Sequence, residues 1–175
     1  MHINYEFKAT CSNLPEMEAI LLKHHPLFIG TDHQADTYFN IGNGRLKLRE
    51  GNIEHALIYY QRTDTAGAKQ SDVTLYQHKP DALLKEILQK ALGIKVIVDK
   101  KRKIYFIENV KFHFDKVEGL GEFIEVEAID FNGSLGIEKL MAQCKYWAAI
   151  LGISEKDYIA QSYSDLLLAK KSSTN

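Results

Sequence analysis

Hydrophobic and polar residues alternate with a period of two at the start of the chain. Over residues 2–10 the apolar side chains are Ile3, Tyr5, Phe7 and Ala9, and the residues between them are polar or charged. Successive side chains of a strand point to opposite faces, so this pattern predicts a strand with one apolar and one polar face.

Similar runs, bounded by glycine, proline and asparagine, predict further strands along most of the chain. They lie near residues 27–32, 35–41, 45–50, 54–63, 70–79, 95–108, 110–117 and 122–130. Apolar positions spaced by three and four residues predict four helices between or after these strands. The helices are expected after Asn13, from Asp81 to residue 92, from Ser134 to residue 151, and over residues 163–170.

The order of these elements is one strand, one helix, a long series of strands interrupted by one helix, and then helices. This order predicts an α+β fold with an antiparallel sheet, because a parallel sheet requires strands and helices to alternate regularly. The length of 175 residues suits a single domain. We predict that this domain covers residues 1–170 and that residues 171–175 form a frayed tail.

The polar faces of the predicted strands carry charges that are sorted by sign. Arg45, Lys47 and Arg49 share one face of their strand, and Lys100 and Arg102 share a face of another. The carboxylates come mainly later in the chain, at Asp115, Glu125 and Glu127.

Two interpretations of these charges are open. In the first, the sheet has one face in water and the charges are solvated there, as in many antiparallel sheets. In the second, the strands close into a barrel of about eight strands, which has room for one small ligand. Cations clustered on one face then repel each other unless an anion lies between them. A polyphosphate would supply that anion, since arginine contacts phosphate bidentately, and the carboxylates would hold Mg²⁺ or Mn²⁺.

Several short stretches resemble the motifs of the CYTH family, also called triphosphate tunnel proteins, and they follow the family's order. The segment Asn4-Tyr5-Glu6-Phe7-Lys8 resembles the opening ExExK motif of the family. The further matches are Asp36–Phe39, Arg45–Glu50, Arg62, Lys100–Arg102, Asp115, Gly119–Glu127 and Ser162–Leu167. The set covers nearly the whole chain and looks like the class IV adenylate cyclase-like branch of the family.

This resemblance implies a closed eight-stranded antiparallel β-barrel, the triphosphate tunnel, with flanking helices. The residues that would grip the triphosphate in the tunnel are Lys8, Arg45, Lys47, Arg49, Arg62, Lys100 and Arg102. The residues that would bind Mg²⁺ or Mn²⁺ are Glu6, Asp115, Glu125 and Glu127. Catalytic roles would fall to Glu6, Lys8 and Glu125.

One position departs from the family pattern. Asn4 replaces the first glutamate of the ExExK motif, and an asparagine offers a carbonyl oxygen without a charge. This leaves the number of metals and the specific reaction open. The leading expectation is a metal-dependent enzyme that acts on a nucleoside, thiamine or inorganic triphosphate. The alternatives are cyclisation of ATP to cyclic AMP and non-catalytic binding of a nucleotide or polyphosphate.

Two further points concern a purine pocket and the position of His113. No residues can be assigned from the sequence to a purine pocket, which a cyclase needs. His113 shares the face of Asp115, so we expect it to line the barrel without a role in metal binding.

Composition narrows the choice of partners and compartment. The formal net charge is −1, so the chain has no overall basic field, and we expect neither a nucleic acid nor a membrane as partner. It also lacks a signal-peptide pattern and a long apolar run, and Cys11 and Cys144 are far apart without metal-ligand spacing. We therefore predict a cytoplasmic protein with reduced thiols, and a homodimer is compatible with the pattern.

Overall fold

The computed structural model describes residues 2–62 and 69–173, and its strands form a closed antiparallel barrel. The strands are β1 (His2–Thr10), β2 (Leu27–Phe39), β3 (Arg45–Glu50), β4 (His55–Arg62), β5 (Lys69–Gln77), β6 (Ile94–Ile107), β7 (Val110–Val117) and β8 (Gly121–Asp130). Their order around the barrel is β1-β5-β4-β3-β2-β6-β7-β8. The predicted eight-stranded antiparallel barrel is confirmed. The segment at residues 63–68, which begins where the predicted strand at 54–63 ends, lies outside the described residues.

Helices flank the barrel, as predicted. They are α1 (Leu14–Leu22), α2 (Ala82–Leu92), α3 (Ile137–Ile150) and α4 (Tyr163–Ser172), with a short 3₁₀ helix at Glu155–Asp157. Asn13 caps α1 as expected, because its side-chain oxygen accepts a hydrogen bond from the backbone N–H of Glu16 at 3.3 Å. No helix within the described part of the chain is both long enough and apolar enough to cross a bilayer.

The apolar faces of the strands on one side of the barrel pack beneath α1 and α3. Phe7 of β1 and Phe112 of β7 are buried there with Leu21 of α1 and Trp147 of α3. The rings of Phe112 and Trp147 meet edge to face, with centroids 4.9 Å apart. This outer core takes the apolar faces of the strands and leaves the polar faces to line the barrel interior.

One end of the barrel is covered by α4. Tyr163, at the start of α4, is buried against Phe123 of β8, with ring centroids 5.0 Å apart. Lys170 donates a hydrogen bond at 2.6 Å to the carbonyl of Gly119 in the β7–β8 turn. Arg45, the first residue of β3, pairs with Asp165 at 3.0 Å. We call this the closed end of the barrel.

The β2 strand differs from the prediction of two strands at 27–32 and 35–41. It is a single strand of 13 residues that pairs with β6 along its whole length. Its register shifts between Phe28 and Gly30, where a bulge lets the strand continue. Gly30 has φ +147°, and a Cβ there would meet Ile53 Cδ1 at 2.7 Å. The predicted break at residues 33–34 is therefore wrong, because His33 and Gln34 pair with Lys101 and Lys100 of β6 without interruption.

The last two helices also differ from their predicted bounds. The segment before α3 is not helical, since the carboxylate of Asp130 accepts hydrogen bonds from the backbone N–H groups of Ser134, Leu135 and Gly136 at 3.0–3.2 Å. At the other end of the chain, α4 continues to Ser172, two residues beyond the predicted end.

Candidate functional site

The barrel interior contains a cavity of about 590 Å³ that is lined by residues of every strand. Ser162 and Tyr163, at the start of α4, line it at the closed end. Ile53, Leu75, Phe106, Ile129 and Phe131 also line it. This apolar group lies at the opposite end, because the β3–β4 turn and the ends of β5, β6 and β8 meet there. The cavity thus carries charged side chains in its interior and a group of apolar side chains at its open end.

A first cluster of charges is organised around Asp36 of β2. This carboxylate is 2% exposed and accepts hydrogen bonds from Lys47 at 3.1 Å, from Arg49 at 2.8 and 2.9 Å, and from Lys100 at 2.7 Å. Although burial alone would raise it, the pKa of Asp36 lies well below its usual value because of the three adjacent cations. One carboxylate therefore fixes the positions of three buried cations.

Lys100 contributes a buried ammonium group to this cluster. It is 1% exposed, and its pKa is lowered to about 7, first by burial and then by the neighbouring Arg49, Arg102 and Lys47, against the opposing effect of Asp36. The cluster holds more positive than negative charge, so an added anion would favour the charged form of Lys100.

A second cluster is organised around Arg102 of β6. Its guanidinium donates to both carboxylate oxygens of Asp115, at 2.7 and 2.5 Å, and to Glu125 at 2.6 Å. The hydroxyl of Tyr163 also donates to Asp115, at 2.8 Å. The pKa of Arg102 is raised well above its usual value by these carboxylates, in spite of burial. Arg102 is therefore held as a fixed cation between two strands and α4.

Lys8 connects this cluster to β1. Its ammonium lies 3.1 Å from a carboxylate oxygen of Glu125 and 3.7 Å from the centroid of the Tyr163 ring. A cation over an aromatic face is stabilised by the ring quadrupole. The start of α4 thus helps to position both Lys8 and Arg102.

A group of carboxylates and one imidazole lies on the β1, β7 and β8 wall. Glu6 is directly opposite Glu127 in the β1–β8 pair, and His113 is opposite Glu125 in the β7–β8 pair. The Nδ1 atom of His113 is 3.3 Å from Glu125 and 3.8 Å from Glu127. The ligand atoms of His113, Glu125 and Glu127 lie within 4.8 Å of one another.

Two members of this group have strongly shifted pKa values. Burial and the adjacent Glu6 raise the pKa of Glu127 to about 7. Burial, Arg102 and Lys111 lower the pKa of His113 to about 3, so its imidazole is neutral near pH 7. A neutral imidazole and carboxylates are ligand groups for divalent metals. A divalent cation between Glu6 and Glu127 would also relieve their repulsion.

Two buried polar atoms on the β1 and β7 walls of this cavity have no hydrogen-bond partner within residues 2–62 and 69–173. They are Oδ1 of Asn4 and Nε2 of His113. Asn4 and His113 are 5% and 1% exposed, and both line the cavity. Buried polar atoms are normally hydrogen-bonded, so these two atoms are consistent with an occupant of the cavity. The donor set therefore fits a divalent metal.

The barrel brings together most of the residues predicted for the site. The predicted site residues that line the cavity are Glu6, Lys8, Lys47, Arg49, Lys100, Arg102, Glu125 and Glu127. Arg45 lies at the closed end with Asp165. Asp115 is fully buried behind Arg102, and both of its oxygens are engaged by Arg102 and Tyr163. The side chain of Arg62 lies outside the described residues.

Other cavity residues received no role from the sequence. Glu54, in the β3–β4 turn, accepts hydrogen bonds from Gln34 and Arg49, both at 2.9 Å, and from Lys111 at 2.5 Å. Lys111 lies two residues before His113 and four before Asp115 on β7, so its side chain is on the same inward face. This alternation is the one sequence signal that could have identified it. The position of Glu54 could not be found in this way, because it depends on the buried carboxylate of Asp32, which accepts the backbone N–H of Glu54 at 3.0 Å.

Comparison with known proteins agrees with this architecture. The model of the CYTH domain matches residues 2–163 of the chain. No curated protein matches it. Among solved structures, a conserved hypothetical protein from Pyrococcus furiosus is similar with a TM-score of 0.80 and 21% identity, over 93% of this chain and 99% of that one.

Two further solved structures carry functional descriptions. A Vibrio parahaemolyticus protein considered an adenylate cyclase is similar with a TM-score of 0.74 and 17% identity, over 94% of this chain and 97% of that one. A Hippeastrum protein considered an adenylyl cyclase, with a dominant triphosphatase activity, is similar with a TM-score of 0.62 and 14% identity, over 98% of this chain and 96% of that one. At sequence identities of 14–21%, these similarities show a common fold and do not establish a common activity.

Proposed function

Because the chain belongs to the CYTH family, we propose that it is a divalent-metal-dependent enzyme that acts on a triphosphate bound inside the barrel. The observation that carries this proposal is the separation of charge within one cavity. Lys47, Arg49 and Lys100 surround Asp36 on one wall, whereas Glu6 and Glu127 face each other on another. A triphosphate and its metal would meet complementary charges on the two walls.

The cations would hold the triphosphate in a single orientation. Asp36 leaves its three partners with an excess of positive charge, which phosphate oxygens would neutralise. Asp115 and Glu125 engage Nε and Nη2 of Arg102, and phosphate oxygens would bind the remaining Nη1 donors. Lys8, fixed over the ring of Tyr163, would contact the same phosphates. Positioning of this kind contributes most of the catalysis in phosphoryl transfer.

Glu6, Glu125 and Glu127 are the carboxylates proposed to hold Mg²⁺ or Mn²⁺, with His113 beside them. When bound, the metal would neutralise charge on the phosphate oxygens and favour the attack of a nucleophile on phosphorus. Asp115 is proposed as a positioning residue for Arg102 and not as a ligand, because it is fully buried behind Arg102 and, unlike Glu125, does not line the cavity.

The reaction proposed first is hydrolysis of the terminal phosphate. A water oxygen forms a bond to the terminal phosphorus, and the bond from that phosphorus to the bridging oxygen breaks, with the electron pair leaving on the diphosphate product. The proton of the water passes to a carboxylate oxygen of this acidic group that does not contact the metal. The dominant triphosphatase activity of the structurally similar Hippeastrum protein supports this choice.

Two alternatives use the same residues. In a cyclase, the ribose 3′-oxygen of ATP would attack the α-phosphorus and diphosphate would leave. In a receptor, the triphosphate would bind without reaction, and the neutral Asn4 in place of a carboxylate is consistent with such a loss of activity.

The three functions can be separated by one product analysis. The protein is incubated with ATP and Mn²⁺, with Glu127→Gln as the matched inactive variant, and the products are resolved by chromatography. ADP and phosphate support hydrolysis, whereas cyclic AMP and diphosphate with no ADP would reject it in favour of cyclisation. Tight binding of ATP and of inorganic triphosphate without any product would identify a receptor.

A further inference from the structure

One ion pair inside the barrel crosses the cavity from one wall to the other. Glu54 lies in the β3–β4 turn, and Lys111 lies on β7. In the order of strands around the barrel, β4 and β7 are four places apart among eight, so they stand on opposite sides. The ammonium of Lys111 nevertheless lies 2.5 Å from a carboxylate oxygen of Glu54, and both residues line the cavity. The pair therefore spans the space in which the triphosphate is proposed to bind.

Glu54 also occupies a donor of Arg49, one of the residues proposed to bind the triphosphate. The Nε and Nη2 atoms of Arg49 donate to Asp36 at 2.8 and 2.9 Å, and its Nη1 atom donates to Glu54 at 2.9 Å. Asp36 thus takes the side of the guanidinium, and Glu54 takes a donor of its end. A phosphate that binds this guanidinium bidentately therefore has to take the place of one of the two carboxylates.

Of these two carboxylates, Glu54 is the one that can leave. The side chain of Asp36 is 3% exposed and is paired with three cations, whereas the side chain of Glu54 is 25% exposed and belongs to the turn at the open end of the barrel. A carboxylate that loses its partners in a buried place is costly, because it is neither paired nor hydrated. Glu54 avoids this cost when its carboxylate turns towards water.

The backbone that carries Glu54 is fixed, so its displacement is a movement of the side chain. The fully buried carboxylate of Asp32 accepts hydrogen bonds from the backbone N–H groups of Asn52, Ile53 and Glu54 at 2.7–3.0 Å. A Cβ atom at Gly51 would lie 2.6 Å from the oxygens of Asp32, so the glycine permits this close approach. The turn therefore keeps its shape while Glu54 changes its rotamer.

We propose that Glu54 is an internal anion of the unliganded barrel, which a bound triphosphate displaces from Arg49 and Lys111. This inference rests on the proposed function, because it takes the interior of the barrel as the triphosphate site. Lys111 then becomes a further phosphate-binding residue. A triphosphate carries more negative charge than one carboxylate, so its oxygens replace the contacts that Glu54 gives up. When the phosphates leave, the carboxylate returns and neutralises the two cations again.

Competition between Glu54 and the triphosphate has a consequence for affinity. A protein that must leave its stable conformation to bind a ligand has its affinity reduced by the fraction of molecules that are competent to bind. The same carboxylate stabilises the unliganded fold, because it lies between two cations. Neutralisation of Glu54 should therefore destabilise the fold and strengthen triphosphate binding. A purely structural role would not produce these opposite changes.

The test is a calorimetric titration of inorganic triphosphate, with Mg²⁺ present, into the wild-type protein, Glu54→Gln and Glu50→Gln. Glu54→Gln is expected to bind triphosphate about tenfold more tightly, because charged hydrogen bonds no longer have to be broken, and to melt at a lower temperature. Adding Lys111→Gln to this variant should reverse part of the gain. The matched control is Glu50, the last residue of β3, which pairs with Lys85 of α2 at 2.6 Å; its substitution should not change the affinity.

Equal or weaker binding of triphosphate by Glu54→Gln than by the wild-type protein would overturn the inference while the proposed function stands. Failure of the wild-type protein to bind triphosphate would overturn both. Titration of Mg²⁺ alone addresses another role: weaker Mg²⁺ binding by Glu54→Gln would identify Glu54 as a metal ligand and would also overturn the inference. An unreversed gain in the double variant would exclude Lys111 as a phosphate-binding residue.

A second variant decides the question if Glu54→Gln does not fold. Glu54→Asp keeps the negative charge but shortens the side chain by one methylene, so that its carboxylate no longer reaches Lys111 across the cavity. It is expected to bind triphosphate more tightly than the wild-type protein, by a smaller factor than Glu54→Gln. Unchanged or weaker binding by the folded Glu54→Asp protein would contradict the displacement of Glu54.

Discussion

Glu127 lies directly opposite Glu6 across the β1–β8 strand pair, so two carboxylates face each other inside the barrel. The proximity of Glu6, added to burial, raises the pKa of Glu127 to about 7. Like charges placed opposite each other on a sheet destabilise it, so this arrangement costs stability unless a cation joins the pair. We expect a metal ion bound between Glu6 and Glu127 to offset this cost.

Substitution of Glu127 tests that role. We expect Glu127→Gln to abolish metal-dependent turnover, because the amide contributes no negative charge to the metal site. The melting temperature should not fall, since the substitution removes repulsion with Glu6. Turnover and melting are measured in parallel with Glu122→Gln, an outward-facing residue of β8 that pairs with Lys116 at 2.8 Å. Full activity of Glu127→Gln would remove this residue from the catalytic site.

His113 should influence which metal binds. Imidazole nitrogen suits transition ions, whereas Mg²⁺ prefers oxygen ligands. We therefore expect His113→Phe to weaken Co²⁺ or Mn²⁺ binding by roughly tenfold and to change Mg²⁺ binding less. Calorimetric titration of each ion measures this, and the absorption spectrum of bound Co²⁺ should change as well. The control is His33→Phe, an exposed histidine paired with Asp99; equal losses for all the ions would contradict a ligand role for His113.

Asp36 is expected to stabilise the unliganded barrel. Asp36→Asn leaves Lys47, Arg49 and Lys100 buried around a neutral group, and breaking a buried ion pair costs about 3–5 kcal/mol. Chemical denaturation should therefore show a loss of this size, and inorganic triphosphate should restore part of it by supplying negative charge. Asp99→Asn, whose carboxylate is half exposed, should have little effect. A similar small effect for both variants would argue against the role of Asp36.

Lys100 should couple triphosphate binding to proton uptake. Its folded-state pKa of about 7 lies below the ordinary value of 10.5, so the unliganded fold favours the neutral amine. This group therefore lowers stability as the pH falls from about 10.5 to about 7, and no further below that. A bound anion favours the ammonium, so at pH 8 the wild-type protein should take up more protons on binding triphosphate than Lys100→Gln does. Calorimetry in two buffers of different ionisation enthalpy measures the difference, and equal uptake would contradict this assignment.

The sequence was most informative where alternation was regular. In β1 and β3 the residues of one parity, such as Glu6, Lys8, Lys47 and Arg49, were predicted to share a face, and they line the cavity. The bounds of β3 and β7 also agree with the prediction. The face on which a strand residue lies depends only on local geometry, so it can be predicted without knowledge of the tertiary structure.

The sequence was less informative where a role depends on a distant partner. Asp115 has the inward parity expected of a ligand, but Arg102 and Tyr163 come from other elements and enclose it. Arg45 belongs to the same alternating strand as Arg49, yet it lies where α4 covers the barrel and pairs with Asp165. The same reasoning explains why the apolar side chains at the open end of the cavity were not predicted as a group, since they come from four separate segments.

The measurement that tests the triphosphate site most directly is calorimetric titration of inorganic triphosphate into the wild-type protein, Arg49→Ala and Lys103→Ala. Arg49 is bound to Asp36 and Glu54 inside the barrel, whereas Lys103 pairs with Glu18 of α1 on the outside. We predict that Arg49→Ala, checked for native melting, weakens triphosphate binding by about tenfold or more and monophosphate binding far less, and that Lys103→Ala changes neither. Wild-type affinity of Arg49→Ala for triphosphate, or equal losses for triphosphate and monophosphate, would contradict a triphosphate site inside this barrel.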